Sequence, residues 1–105
     1  MVSRGEVWRA RFPDGKDRPG VIASPNVRNT EGENVILAGC SSRRTETIYP
    51  SEVKLSGLDL PRETKVQADY LFTIKQQRLK ERLAQLTDEQ QEKFNRALLI
   101  SLDLV

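Results

Sequence analysis

Hydrophobic and polar residues alternate in short runs through most of this chain and change to helical spacing only near its end. In 6–12, Trp8, Ala10 and Phe12 fall on one side and Arg9 and Arg11 on the other, which predicts a half-buried strand with a basic outer face. Residues 13–17 carry turn chemistry, Pro-Asp-Gly-Lys-Asp. The run 18–24 reads as a second strand, antiparallel to the first because the link between them is so short. A polar loop is expected over 25–33. The most apolar run, 34–41, predicts a central strand buried on both faces that emerges at two hydroxyls, Ser41 and Ser42. After irregular chain at 45–51, residues 52–55 alternate as a short strand. A connection at 57–63 leads to two further strands, 64–67 and 71–74. Short strands at this spacing point to a small barrel or a strongly curved sheet, a mainly β fold.

The C-terminal stretch has a different period. Thr87-Asp88-Glu89-Gln90 is a capping box, with a hydroxyl at the helix start and an amide three residues on. Asp88 and Glu89 stand where the helix dipole favours acids. Phe94, Ala97, Leu98, Ser101, Leu102 and Val105 then recur at helical spacing, which predicts one amphipathic helix over 88–102 lying against the sheet. Residues 75–86 fit two periods. Leu79, Leu83 and Leu86 suit a helix, whereas Arg82, Ala84 and Leu86 suit a strand, and local propensity favours the helix.

The totals narrow the classes. A chain of 105 residues is expected to form one domain, 1–105, with a modest core that gains from a second subunit. Seventeen Lys and Arg against fifteen acids leave a net charge of only +2, so any nucleic-acid role has to come from where the arginines cluster. The single cysteine, Cys40, allows no internal disulfide, which suits a reducing cytoplasm. No segment is apolar and long enough to span a bilayer, and the start Met1-Val2-Ser3-Arg4-Gly5 lacks a signal-peptide core. The chain has no histidine, so acid–base chemistry near neutral pH must use another group. It also has no Cys/His cluster of zinc-site spacing, and no metal or other cofactor is expected.

Two stretches carry candidate chemistry. In Asp17-Arg18-Pro19-Gly20, a guanidinium whose fork matches a phosphate sits beside a rigid Pro and a Gly that lets a ligand come close. At 41–44, two hydroxyls and two arginines follow a buried strand directly, which suits an anion site. Taken singly, each also reads as an ordinary strand end.

In sequence order these residues resemble the MazF/PemK family of toxin endoribonucleases. Arg4-Gly5-Glu6-Val7-Trp8 is similar to the family's opening strand. Arg18-Pro19, then apolar residues and Ser24-Pro25-Asn26, is similar to its second strand. Ser41 stands where the family has a Thr or Ser after its central strand. Val66-Gln67-Ala68-Asp69, Thr73-Ile74 and Gln77-Arg78-Leu79 continue the match, and Leu86-Thr87-Asp88-Glu89 with Ala97-Leu98-Leu99-Ile100-Ser101-Leu102 resembles the family's last helix. The likeness runs from Arg4 to Leu104. It departs in the short link before Arg18, where the family's acidic Gly-Ser/His-Glu-Gln stretch is missing, in Phe72 for an Arg before Thr-Ile, and in Gln67 where one type of relative carries an Arg.

The resemblance implies a small SH3-like barrel of curved antiparallel sheet plus a C-terminal helix, usually a homodimer, with 80–86 a strand. It implies metal-independent, sequence-selective cutting of single-stranded RNA, and a MazE-like antitoxin whose disordered tail fills the RNA groove. Cutting RNA through its own 2′-hydroxyl needs a group to take that proton, one to stabilise a dianionic phosphorane, and one to protonate the leaving oxygen. Arg18 and Ser41 are the expected catalytic pair. Arg9, Arg11, Pro19, Ser42, Arg43, Arg44, Gln67 and Asp69 are the expected RNA-binding set. About four phosphate contacts would weaken binding roughly fifty-fold between ~50 and ~200 mM salt. Trp8 and Tyr70 are candidates for base stacking, Trp8 also for the core. Two competing readings remain on this fold: a non-enzymatic CcdB-type toxin that blocks a DNA gyrase through its C-terminal helix, and a small RNA-binding barrel. Arg18 and Ser41 together favour the enzyme.

Overall fold

A computed structural model describes residues 2–105; Met1, the first residue of the start that lacks a signal-peptide pattern, lies outside them. The described residues form one six-stranded antiparallel sheet in the order β4-β5-β3-β2-β1-β6. The strands are β1 (Glu6–Arg11), β2 (Asp17–Ile22), β3 (Asn34–Ser41), β4 (Glu52–Lys54), β5 (Lys65–Lys75) and β6 (Leu79–Gln85). β4 and β6 form the two ends and do not pair with each other, so the sheet curls without closing.

Two apolar clusters lie on opposite faces of the sheet. Val7, Val21, Ala38, Val66, Phe94 and Ala97 belong to one cluster, which the C-terminal helix α2 (Asp88–Ser101) seals over β4 and β5. Ala10, Phe12, Ile22, Val35, Leu37 and Ile74 form the other cluster, on the opposite face. Helix α2 begins at the expected box. The Gln90 amide N–H donates to Thr87 Oγ1 at 3.1 Å, and the Thr87 N–H donates to Gln90 Oε1 at 3.0 Å. Gln90 is itself buried, and its Nε2 donates to the Ser56 carbonyl at 2.8 Å, which ties the helix start to the chain after β4.

Three segments differ from the local pattern, each for a tertiary reason. The polar loop expected at 25–33 contains a short helix, α1 (Asn26–Glu31). No apolar stripe announces it, because the residue it buries is Asn29. Asn29 Nδ2 donates to the Ser24 carbonyl at 3.0 Å, Ser24 Oγ donates to Asn29 Oδ1 at 2.5 Å, and Gln76 Nε2 donates to the Asn29 carbonyl at 2.6 Å. Hydrogen bonds to distant chain therefore replace apolar contacts as the reason for this turn. The two strands expected at 64–67 and 71–74 are one strand, β5, with a wide bulge. From Ala38↔Leu71 to Cys40↔Val66, β3 moves two residues while β5 moves five. Finally, the ambiguous segment 75–86 makes a 3₁₀ turn at Gln76–Arg78 and then strand β6, as the family likeness implied for 80–86 and against local propensity. It fills the free edge of β1, with register shifts that place Leu79 on one cluster and Leu83 and Ala84 on the other.

Candidate active site

Strand register decides which side chains share a face. β1 and β2 pair as Ala10↔Arg18 and Arg11↔Asp17, so Arg18 lies with Ala10 and Phe12, and Asp17 lies with Arg9 and Arg11. Arg18 accordingly lies over the Phe12 ring, its guanidinium carbon 5.8 Å from the ring centroid, a cation–π distance. β2 and β3 pair up to Gly20↔Gly39. Carrying that register two residues further sets Arg18 opposite Ser41. The pair expected to do the chemistry is thus aligned on one face by two strands that are distant in sequence.

The floor beneath them is made of glycine and aromatic carbon. A Cβ on Gly20 would meet Phe12 Cζ at 3.2 Å and the Ala38 carbonyl at 3.3 Å, so only glycine fits there without displacement. A Cβ on Gly39 would lie 3.7 Å from ring atoms of Phe12 and Phe72 and from Tyr70 Cβ. Phe12 and Phe72 meet edge to face with centroids 5.2 Å apart. Tyr70, in the β5 bulge, is 54% exposed beside this floor.

Polar groups flank the floor. Asp14, in the β1–β2 turn, forms an ion pair with Arg18 Nη2. Ser41 Oγ accepts the Arg43 amide N–H at 3.1 Å, which orients the hydroxyl and leaves its proton to donate. Ser41 pairs with Lys65 across β3–β5, and Gln67 with Glu52 across β4–β5. Here a charged pair is buried: Lys65 Nζ lies 2.9 Å from Glu52 Oε1, with side-chain exposures of 4% and 6%. Gln67 Nε2 donates to Glu52 Oε2 at 3.1 Å, and the Tyr49 amide donates to Glu52 Oε1 at 3.0 Å. Burial alone would raise the Glu52 pKa. The Tyr49 amide, Lys65 and Gln67 outweigh it and hold the carboxyl below its ordinary value.

The expected RNA-binding residues divide by face. Ser42, Arg43 and Arg44 continue from Ser41 as exposed chain, with Arg44 in the left-handed region at φ 50°. Gln67 is half-buried on the Arg18 face against Glu52, and Asp69 is exposed in the bulge next to Tyr70. Arg9, Arg11 and Pro19 lie on the other face of the hairpin. There Asp17 holds both arginines, Arg9 at 3.0 Å and Arg11 still more closely, and Glu81 takes Arg9 at 2.8 Å. The structure therefore does not bring these three together with Arg18 and Ser41. Trp8 is half-buried, its indole N–H donating to Glu6 Oε1 at 3.0 Å, which fits the core more than a stacking platform. Cys40 is a packing residue, and its desolvation pushes the thiol up to about 12, far from a nucleophile's range. Sequence reasoning missed Glu52 and Lys65 altogether. The only signal was two charged residues within alternating strands, where either could equally have faced solvent.

Residues 3–102 match a family described as PemK-like, MazF-like toxin of type II toxin-antitoxin system. The chain belongs to this family. It is 30% identical to an endoribonuclease MazF of Staphylococcus saprophyticus, over 99% of this chain and 93% of that protein. Among solved structures, an endoribonuclease from a mycobacterial species, in complex with its cognate antitoxin, is similar with a TM-score of 0.89 and 28% identity over 100% of this chain and 98% of that one. A MazE–MazF complex from Deinococcus radiodurans shares the fold, with a TM-score of 0.79 and 24% identity over 97% and 95% of the two chains. The departures seen in the sequence now have positions on the family's fold. The acid in the short β1–β2 turn, Asp14, contacts Arg18, and Phe72 supplies the apolar floor under Gly39. Among the described residues no helix is long and apolar enough to cross a membrane, and no group of three or more acidic or Cys residues is arranged to hold a metal ion.

Proposed function

We propose that this protein is a sequence-selective, metal-independent endoribonuclease toxin that cuts single-stranded RNA, inhibits translation and growth in the cytoplasm, and is neutralised by a cognate MazE-like antitoxin. The observation that carries the reading is the strand register that sets Arg18 and Ser41 on one face, beside the Phe12 and Phe72 rings, in a chain that belongs to the MazF-like toxins. The 2′-hydroxyl gives its proton to solvent and attacks the adjacent phosphorus, the bond to the 5′-oxygen breaks, that oxygen takes a proton from solvent, and a cyclic phosphate remains. Arg18 has both charge and fork for the phosphorane, and an incoming phosphate oxygen replaces the Asp14 carboxylate at Nη2. Ser41, oriented by the Arg43 amide, donates to a non-bridging oxygen. Tyr70 offers an exposed ring to a splayed base, and Asp69 and Gln67 lie near enough in sequence to read its edge. Ser42, Arg43 and Arg44 meet the backbone. The antitoxin is supported by the cognate complex of the mycobacterial relative, and a homodimer by the small core of a 105-residue chain.

A cleavage assay in EDTA tests the proposal. A mixed-sequence single-stranded RNA is compared with the same oligonucleotide bearing hydrogen at every 2′ position. Cutting of the RNA alone, with a cyclic phosphate product and loss in Arg18→Ala and Ser41→Ala, is the expected result. Growth arrest in cells without any cut RNA would overturn the enzyme and bring the gyrase-blocking reading forward.

A further inference from the structure

The Glu52–Lys65 pair is buried in the sheet. It places two opposite charges in the interior of a small domain, where a well-packed apolar pair would be about as stable. Its partners reveal what it holds. Lys65 Nζ donates to the Thr47 carbonyl at 3.1 Å and lies 5.8 Å from the Tyr49 ring centroid. Glu52 accepts the Tyr49 amide. Both members therefore grip residues 47–49, in the irregular segment 42–51 that leaves β3 at Ser41. The same segment is tied at its start. The Arg43 amide donates to Ser41 Oγ, and the Thr47 amide donates to the Arg44 carbonyl at 3.1 Å. A continuous line of hydrogen bonds thus runs from the Ser41 hydroxyl through Arg43–Arg44 and Thr47 to Lys65 and Glu52.

We propose that Glu52 and Lys65 are positioning residues that clamp the segment 42–51, so that Arg43 and Arg44 are presented at a set place beside Ser41 for the RNA backbone. The inference rests on the RNA-cutting reading for its ligand, and on the hydrogen-bond line for its mechanism. Lys65 is too buried to touch substrate, so it acts through the segment it holds. Free to wander, the two arginines would lose rotational and backbone freedom on each binding event. Held by the clamp, that ordering is done at folding.

The test uses the full chain. Either single variant strands one buried charge and threatens the fold, so the informative variant is the double one, Glu52→Gln with Lys65→Met. Its amide oxygen still accepts the Tyr49 N–H, and its thioether chain fills the lysine's volume. Three readouts are compared at matched folded fraction. Amide exchange at Thr47 and Tyr49 is expected to quicken at least ~10-fold through local opening. The affinity of a labelled 2′-O-methyl RNA, which binds but lacks the attacking hydroxyl, is expected to fall about tenfold at ~50 mM salt. Its salt slope should shrink by about 1.4, the loss of two phosphate contacts on a single strand. With cleavable RNA, KM rises while kcat changes less than about threefold. Adding Arg43→Ala and Arg44→Ala to the double variant should cost little more, because the clamp and the arginines act in one line. Unchanged exchange at Thr47 and Tyr49 would overturn the clamp, and a fully additive arginine effect would overturn its link to RNA. Should the wild-type protein bind and cut no RNA, the functional proposal fails, while the exchange measurement still judges the clamp.

Discussion

Each face of the β1–β2 hairpin carries arginine paired with aspartate, but in different surroundings. On one face Arg9 and Arg11 share Asp17, with Glu81 beside them, and the charges cancel locally. Asp17 is drawn below its ordinary pKa chiefly by its hydrogen bond from Arg11, and Arg11 is raised chiefly by the same bond. On the other face Arg18 stands over Phe12, whose ring packs with Phe72 against Gly20 and Gly39, and pairs with Asp14. An arginine becomes a ligand site through what surrounds it, and strand alternation sorts neighbours in sequence into different surroundings. The exposed network on the first face is worth little to stability in physiological salt.

The comparison breaks most sharply on activity. Arg18→Ala is expected to lower kcat/KM for RNA by about a thousand-fold or more, whereas Arg11→Ala should stay within about threefold in the same assay. Comparable losses from the two would remove the distinction between the faces. Ser41→Ala is expected to cost about a hundred- to thousand-fold, and Ser41→Thr to keep most of the rate, since the hydroxyl remains. A smaller effect separates a buried ion pair from the exposed ones. Glu52 titrates below its unfolded value, so its stabilisation is complete above the ordinary carboxylate range and is lost as pH falls through the folded value. Wild type should therefore lose thermal stability below about pH 4, and the Glu52→Gln, Lys65→Met protein should lose less over that window. Asp17→Asn, on the exposed face, should leave the same melting curves nearly unchanged at ~0.15 M salt. The slightest change is chemical. Cys40 should resist alkylation at pH 8 in the folded protein and react once the chain is unfolded, because its thiol is held up to about 12. Fast labelling of native protein would place Cys40 outside the packing assigned to it.

Much of this molecule was legible residue by residue. The capping box is contained in four consecutive residues, so α2 could be bounded at Thr87 before any packing was considered. The alternation of β1 and the apolar runs of β2 and β3 locate these strands within a residue or two. Arg18 and Ser41 were each visible as types of chemistry. What no local pattern carried was alignment. Whether Arg18 faces Ser41 or Arg9 depends on a register between strands about twenty residues apart. A second register, between β4 and β5, turns two scattered charges, Glu52 and Lys65, into one buried pair. The short helix at Asn26–Glu31 and the strand β6 belong to the same class, since each forms because distant chain offers hydrogen bonds or an open edge.

By itself, then, the sequence determined the mainly β class, the position and start of the last helix, the absence of a histidine base and the family. The tertiary structure alone decided which arginines share a face with the serine, how far β5 bulges, and what anchors the segment after Ser41. The physical reason is range. Periodicity, capping and turn chemistry act over a few residues of one chain segment, while register and burial are settled between segments by which faces exclude water together.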